Sequence, residues 1–493
     1  MISRRALLVS SAAIGAAAFA TTLPGLRAAA QPLPRRRSLK DMDLDDPLLE
    51  TLREFVTMMK DPSRNGQNVS WVGFSDIHGT TAGFNKCPHG NWYFLPWHRG
   101  YVLMYELAAR ALTGNAEFAM PYWDWTEQPD FPAAFGDEDF DGQPNPLFVA
   151  GRLLTTGGEI PLNVSGPAVL DQIYAMQTLE EFGSSRAFGQ DSTDPSWIME
   201  SGTQGLLESN PHNRVHCLVR GPFMCSGTSP QDPIFMMHHC NIDRIWDEWN
   251  FRGNPNSPDP LWLDMAFTQH FYQPDGTLQS YAVNQLLEVE PLGYTYREVA
   301  PPPPPPPPVY DPARSLYLAS LYGAPLGLEA AVANRAVGGR DATASPDNPL
   351  TVSLDASGLN IARAIEPAVE AALKNAGAPM PQVYAFIRRM EPANQESTIL
   401  RVFVNLPEAR AGTPTEDNPN YVTTIGFFGP GGEHAGHGMR PSVAVDLTRA
   451  LQRLTASGGL PSDEITIQLV PEPNAQGDMA APVGMAEVEL AVV

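Results

Sequence analysis

The sequence predicts a mainly α domain with a helix-bundle core, followed by a C-terminal β-sandwich. Three observations carry that division. Histidines and helix-spaced apolar residues crowd residues 31–300; an unbroken proline run, Pro301 to Pro308, interrupts the chain; beyond it, short segments alternate apolar and polar residues between Gly, Pro, Asn and Asp clusters.

Each segment has its own reason. At the start, Ser3-Arg-Arg-Ala-Leu-Leu8 opens an apolar run through Ala20, and Ala28, Ala29 and Ala30 offer small residues for cleavage. Residues 1–30 therefore resemble a twin-arginine signal, the export route of folded, cofactor-bearing bacterial proteins. The run is too short and Ala-rich for an anchor, and nothing later approaches a span, so an exported chain without stable membrane insertion is expected. Pro96 to Leu112 has the apolar spacing of a buried helix and carries His98 near its start. His212 and His216 are four apart, which on a helix places both on one face. A third helix is expected after Asp232-Pro233, bearing His239. The proline run, residues 301–309 with its flank, reads as a stiff polyproline spacer of roughly 25 Å. Residues 310–493 then hold strand candidates at 350–354, 382–387, 399–404, 421–428, 442–445, 464–469 and 486–492.

Composition narrows the partners. With 55 acidic against 32 basic residues the formal net charge is -23, which argues against nucleic acid. Hydrophobic content of 43% and nine tryptophans suffice for sizeable cores. Only four cysteines occur, so this is no disulfide scaffold. Cys217 and Cys225 either pair or serve as small packing residues.

The histidines carry the chemistry. His78, His89 and His98 form one group; His212 and His216 form a second with the adjacent His238-His239. Neutral imidazole suits copper, zinc, iron and nickel. Three imidazoles without carboxylate or thiolate, repeated once, point to two metals of one kind, copper above the others. His270, His434 and His437 are read as ordinary core or surface histidines.

These segments resemble the two copper motifs of the type-three copper proteins: tyrosinases, catechol oxidases and molluscan-type haemocyanins. The resemblance spans roughly residues 47 to 296 and includes Pro96-Trp-His-Arg with Glu106, Met120-Pro-Tyr-Trp-Asp-Trp125 and the stretch from Asp232 to Trp249. Tyr294-Thr-Tyr296 is similar to the motif that closes the catalytic domain of plant polyphenol oxidases. The resemblance implies a four-helix-bundle dicopper core, with two copper ions held by His78, His89, His98, His212, His216 and His239, and His238 as a neighbour. It implies a thioether from Cys87 to His89, against which stands a buried free thiol. It gives Asn213 and Glu208 the task of orienting a water that takes the phenolic proton; bracing or electrostatic favouring of a helix start is the other reading of both. Cys225 or Ser226 would stand at the gate, and Arg214 is either a contact for acidic substrates or a surface cation.

Val402-Phe-Val-Asn-Leu-Pro407 and Ile425-Gly-Phe-Phe428 resemble the C-terminal shielding domain of plant polyphenol oxidases and haemocyanin units. Either Phe427 or Phe428 could plug the site. The glycine-rich loop 429–438 reads as a hairpin turn or as a copper-handling loop. The implied activity is oxidation of monophenols and o-diphenols to o-quinones with dioxygen, latent until the shield is displaced. An o-aminophenol oxidase and a haemocyanin-like oxygen carrier are the alternatives. Oligomeric state and natural substrate leave no mark in the sequence.

Overall fold

A computed structural model describes residues 32–298, 335–366, 381–429, 440–458 and 463–492. The expected export signal, the proline spacer, and the loop histidines His434 and His437 lie outside the described residues. Five helices frame the N-terminal part. α1 (Pro47–Met59) begins where the Asp46 side chain accepts from the Leu48 N–H, with proline in its first turn. α2 (Trp71–His78) is capped by Ser70 accepting from Gly73 N–H and ends on His78. α3 (Phe94–Thr113) is slightly longer than the sequence pattern indicates and stops at Gly114, whose φ of 72° a glycine adopts without strain. α4 (Asn213–Val219) continues out of a π-helical turn over Glu208–His212. α5 (Ile234–Phe251) carries the adjacent histidine pair.

α3 packs against both α1 and α5 in a core that encloses Trp97, Trp123, Trp125, Trp246 and Trp249. A buried charge network locks α3 to α5: Arg36 Nε meets Glu106 at 2.8 Å and its Nη1 meets Asp243 at 3.0 Å, while Arg99 Nε meets Asp243 at 2.5 Å. Tyr294 and Tyr296 donate to the same Asp243 carboxylate at 2.7 and 2.6 Å. Removing one member of so buried a set strands the others' charge, a loss of about 3–5 kcal/mol. The sequence strings flanking the histidines therefore serve the bundle rather than the chemistry.

Beyond the spacer the strands arrive as expected. The strands are β1 (Thr203–Gln204), β2 (Arg335–Gly338), β3 (Leu350–Asp355), β4 (Val383–Arg388), β5 (Thr398–Val404), β6 (Tyr421–Gly426), β7 (Ser442–Asp446), β8 (Glu464–Pro473) and β9 (Glu487–Val492). One sheet has the order β3-β8-β5-β6 and the other β1-β7-β4-β9-β2. Between them lies an apolar layer in strict alternation: Val383, Ala385 and Ile387; Leu400, Val402 and Val404; Ile465, Ile467 and Leu469. Several features escaped the sequence pattern, among them β2 and two helices, Ile361–Ile365 and α6 (Thr448–Ala456). Another is β1, which belongs to the N-terminal part yet pairs in parallel with β7 of the sandwich, Ser442 opposite Thr203 and Val443 opposite Gln204.

Candidate metal centre

α2, α3, α4 and α5 point histidines into one interior. His78 comes from the last residue of α2, His98 from the first turns of α3, His216 from α4 and His238-His239 from α5, with His212 at the π-turn and His89 on the loop before α3. Two groups result: His78, Cys87, His89 and His98, and His212, His216, His238 and His239. Within each, one donor atom per residue lies within 4.8 Å of the others, and all are buried.

Hydrogen bonds fix which ring nitrogen is free. Carbonyl oxygens only accept, so Nδ1 carries the hydrogen in His78 (to Gly227, 2.7 Å), His98 (to Phe94, 2.7 Å) and His216 (to Met224, 2.8 Å). His212 Nδ1 donates to Asn213 Oδ1 at 2.9 Å, because the Asn213 amide nitrogen is spent on the Gly426 carbonyl at 3.0 Å. Each of these rings thus presents an Nε2 lone pair to the interior, and those of His78 and His212 have no partner. His216 and His239 bring their Nε2 atoms to 3.1 Å. His238 differs: the Trp125 indole N–H donates to its Nδ1 at 3.1 Å, so its Nε2 carries the hydrogen and no lone pair remains. Burial pushes His78 down to about 4 and His212 to about 3. Burial first, then neighbouring imidazoles, holds His89, His98, His216 and His239 well below the usual range, so all are neutral at pH 7.

Around the histidines lie the other sequence-marked residues. The Cys87 sulfur is 3.7 and 3.8 Å from the two ring nitrogens of His89 and 3.2 Å from His98 Nε2. Glu208 is fully buried and accepts from Gly90 N–H at 2.6 Å and from the Ser184 hydroxyl. Burial pushes its carboxyl up to about 8. Glu208 and Asn213 are joined through Gln204, whose Nε2 donates to Glu208 at 3.4 Å and whose Oε1 accepts from Asn213 at 3.3 Å. Gln204, in a segment of irregular spacing, gave no sequence signal. From the sandwich, the Phe428 ring lies 4.2 Å from that of His216 at 27°, and 5.1 and 5.5 Å from His89 and His212. Phe427 instead belongs to the sandwich core.

Residues 68–159 and 161–252 match the common central domain of tyrosinase. The tyrosinase of Streptomyces antibioticus is 32% identical over 231 residues, 42% of this chain and 81% of that protein. The chain belongs to the tyrosinase family of type-three copper proteins. It is a dicopper oxidoreductase. A tyrosinase of Hahella sp. (strain CCB-MM4) is 27% identical over 437 residues, covering 82% of this chain and 83% of that one. The structure of latent apple tyrosinase shares the fold with a TM-score of 0.61 at 19% identity, over 94% of this chain and 98% of that one. Residues 343–488 match a domain family of unknown function.

The residues fit two copper ions: buried, neutral imidazoles, four of them turned by acceptors behind their Nδ1 and two with Nε2 lone pairs that have no partner, are the donors copper takes. Two open sequence alternatives are narrowed by the structure. Cys217 and Cys225 pair, the first of the two readings, so neither is a free packing residue. Arg214 is no surface cation: it is 3% exposed, beneath Gly426 of β6, and burial pushes its guanidinium down to about 10.

Proposed function

We propose that the chain oxidises monophenols and o-diphenols to o-quinones with dioxygen, on copper ions held by His78, His89 and His98 and by His212, His216 and His239. The observation that carries this reading is the convergence of neutral imidazoles in one buried interior, with His78, His98 and His216 anchored on backbone carbonyls; the bond from Trp125 to His238 Nδ1 favours His239 over His238 as the ligand. Bound there, the two copper ions supply the redox chemistry, activating dioxygen while the substrate returns the electrons.

The chain's own residues do the rest. A phenol with a pKa of about 10 enters protonated. Asn213 and Glu208, linked by Gln204, form the route by which its proton leaves; a carboxyl raised to about 8 is a stronger base once ionised than an ordinary glutamate. A thioether between Cys87 and His89 would fix the orientation of that ring, and a cross-linked peptide in mass spectrometry tests it.

The form described is latent in this reading, with Phe428 covering the open side of the pocket. The sandwich is tied down by Asn213 donating to Gly426, by Tyr384 donating to Glu181, and by Arg220 meeting Asp478 with both Nη atoms, at 2.7 and 2.8 Å. The corresponding organisation is an export signal over 1–30, a catalytic domain over 31–300, a linker over 301–309 and a shielding domain over 310–493. Copper-loaded full-length protein and a form trimmed after Pro308 are assayed with tyrosine, a catechol and an o-aminophenol. Quinone formation by the trimmed form, far above the full-length rate, is expected. A trimmed form that holds two coppers and turns over none of the three overturns the reading.

A further inference from the structure

One short loop supplies backbone acceptors to both donor groups. His78, in the first, gives its Nδ1 hydrogen to Gly227, and His216, in the second, gives its own to Met224, at 2.7 and 2.8 Å. The two carbonyls sit three residues apart in the irregular segment 220–228, between α4 and α5. Other rings have separate holders: His98 uses Phe94 of its own helix and His212 the Asn213 side chain.

An irregular loop wanders unless it is fastened. This one is fastened at three points. The Cys217–Cys225 disulfide, with Cα atoms 4.6 Å apart, joins the residue after His216 to the residue after Met224, so the covalent bridge runs beside the hydrogen bond between them. Arg220 has a φ of 48°, a costly value for a residue with a side chain, and is held there by Asp478; its carbonyl accepts from the Met224 N–H at 3.0 Å. Gly227 is wedged on the other side: a Cβ there would meet the carbonyl oxygens of Gly83 and Thr80 at 3.0 Å each. A Cβ on Gly79, next to His78, would meet the Gly227 oxygen at 2.7 Å, so this close approach needs a glycine.

We propose that the loop 220–228 is a shared positioning element for both copper sites, kept in register by the Cys217–Cys225 disulfide. The inference rests on the ligand assignment above. A ring whose acceptor moves loses orientation and basicity together, and losing such a partner weakens metal binding roughly ten- to a hundredfold. Because one loop serves a histidine in each site, both ions should loosen together.

The test measures how fast copper passes from the loaded full-length protein to excess chelator, followed by metal analysis. Cys217→Ala/Cys225→Ala is compared with wild type and with Val402→Ala, a variant expected to lower thermal stability from within the sandwich core, a cluster that holds no residue of the loop. The expected result is release roughly ten- to a hundredfold faster than wild type, both ions leaving in step, with Val402→Ala near wild type. Release no faster than in Val402→Ala, or faster release of one ion alone, overturns the proposal. Should the cysteine variant fail to fold, Gly79→Ala keeps the disulfide while placing a Cβ 2.7 Å from the Gly227 oxygen, which must shift against His78; unchanged release from it overturns the proposal equally. A wild-type chain that binds fewer than two coppers overturns the ligand assignment first, and the inference with it.

Discussion

Phe428→Ala in the full-length chain tests what keeps the site closed. The ring is 7% exposed, stacked on His216 and packed beside Phe84 and the Cys217–Cys225 bridge. Burying a phenylalanine side chain contributes roughly 1.5–3 kcal/mol relative to leaving it in water. In an opened form the ring is already in water, so the substitution removes this contribution from the closed form alone. With about 1.4 kcal/mol per factor of ten, the closed-to-open ratio falls by roughly ten- to a hundredfold. The assay is catechol oxidation by copper-loaded full-length Phe428→Ala, against wild type and against the form trimmed after Pro308. Expected are a rate at least about tenfold above wild type and an unchanged copper content. A variant no faster than wild type, beside an active trimmed form, would refute the reasoning and assign closure to the other contacts between the two parts.

Three further outcomes are expected. His98→Ala should lower bound copper from two ions to one by metal analysis; a chain still holding both removes His98 from the ligand set. Gly426→Ala places a Cβ 2.3 Å from Arg214 Cγ and 3.2 Å from its backbone nitrogen, an overpacking that costs about 1–3 kcal/mol and pries β6 off α4. Full-length Gly426→Ala should therefore oxidise catechol faster than wild type without losing copper, and an unchanged rate counts against a tight seat there. Glu208 carries a carboxyl raised from 4.5 to about 8, so the folded chain keeps a proton that the unfolded chain has shed. Its contribution to stability is present below about 4.5 and lost as pH rises to about 8. In copper-free protein, urea midpoints of wild type should fall relative to Glu208→Gln across that window; a difference independent of pH contradicts the raised value.

Most of the site was legible because its signals are local. Imidazole donors stand at helix spacing, as in His212 and His216, and neighbouring prolines and aspartates mark helix starts. The sandwich was equally open, since Val383, Ala385 and Ile387 announce a buried face by period alone. α6 was missed although Ala450, Leu451 and Leu454 carry a helical stripe, because the surrounding strands set the expectation. Gln204 was missed for a different reason: its role depends on Glu208 and Asn213 folding around it, and nothing in its neighbours announces that.

By itself, the sequence determined the donor chemistry, the two-part division and the order of helices and strands, because these follow from residue type and short-range periodicity. Only tertiary structure decided between adjacent candidates. Trp125, distant in sequence, donates to His238 Nδ1 and so sets His238 apart from His239, the ligand in the proposed set. The strand direction of β6 aims Phe428, not Phe427, at the histidines. The path of the 220–228 loop brings Cys217 and Cys225 within bonding reach, and Gly426 of β6 covers Arg214. In the first two cases adjacent side chains of similar chemistry competed for one place, and in all three a contact from elsewhere in the fold decided what the local sequence left open.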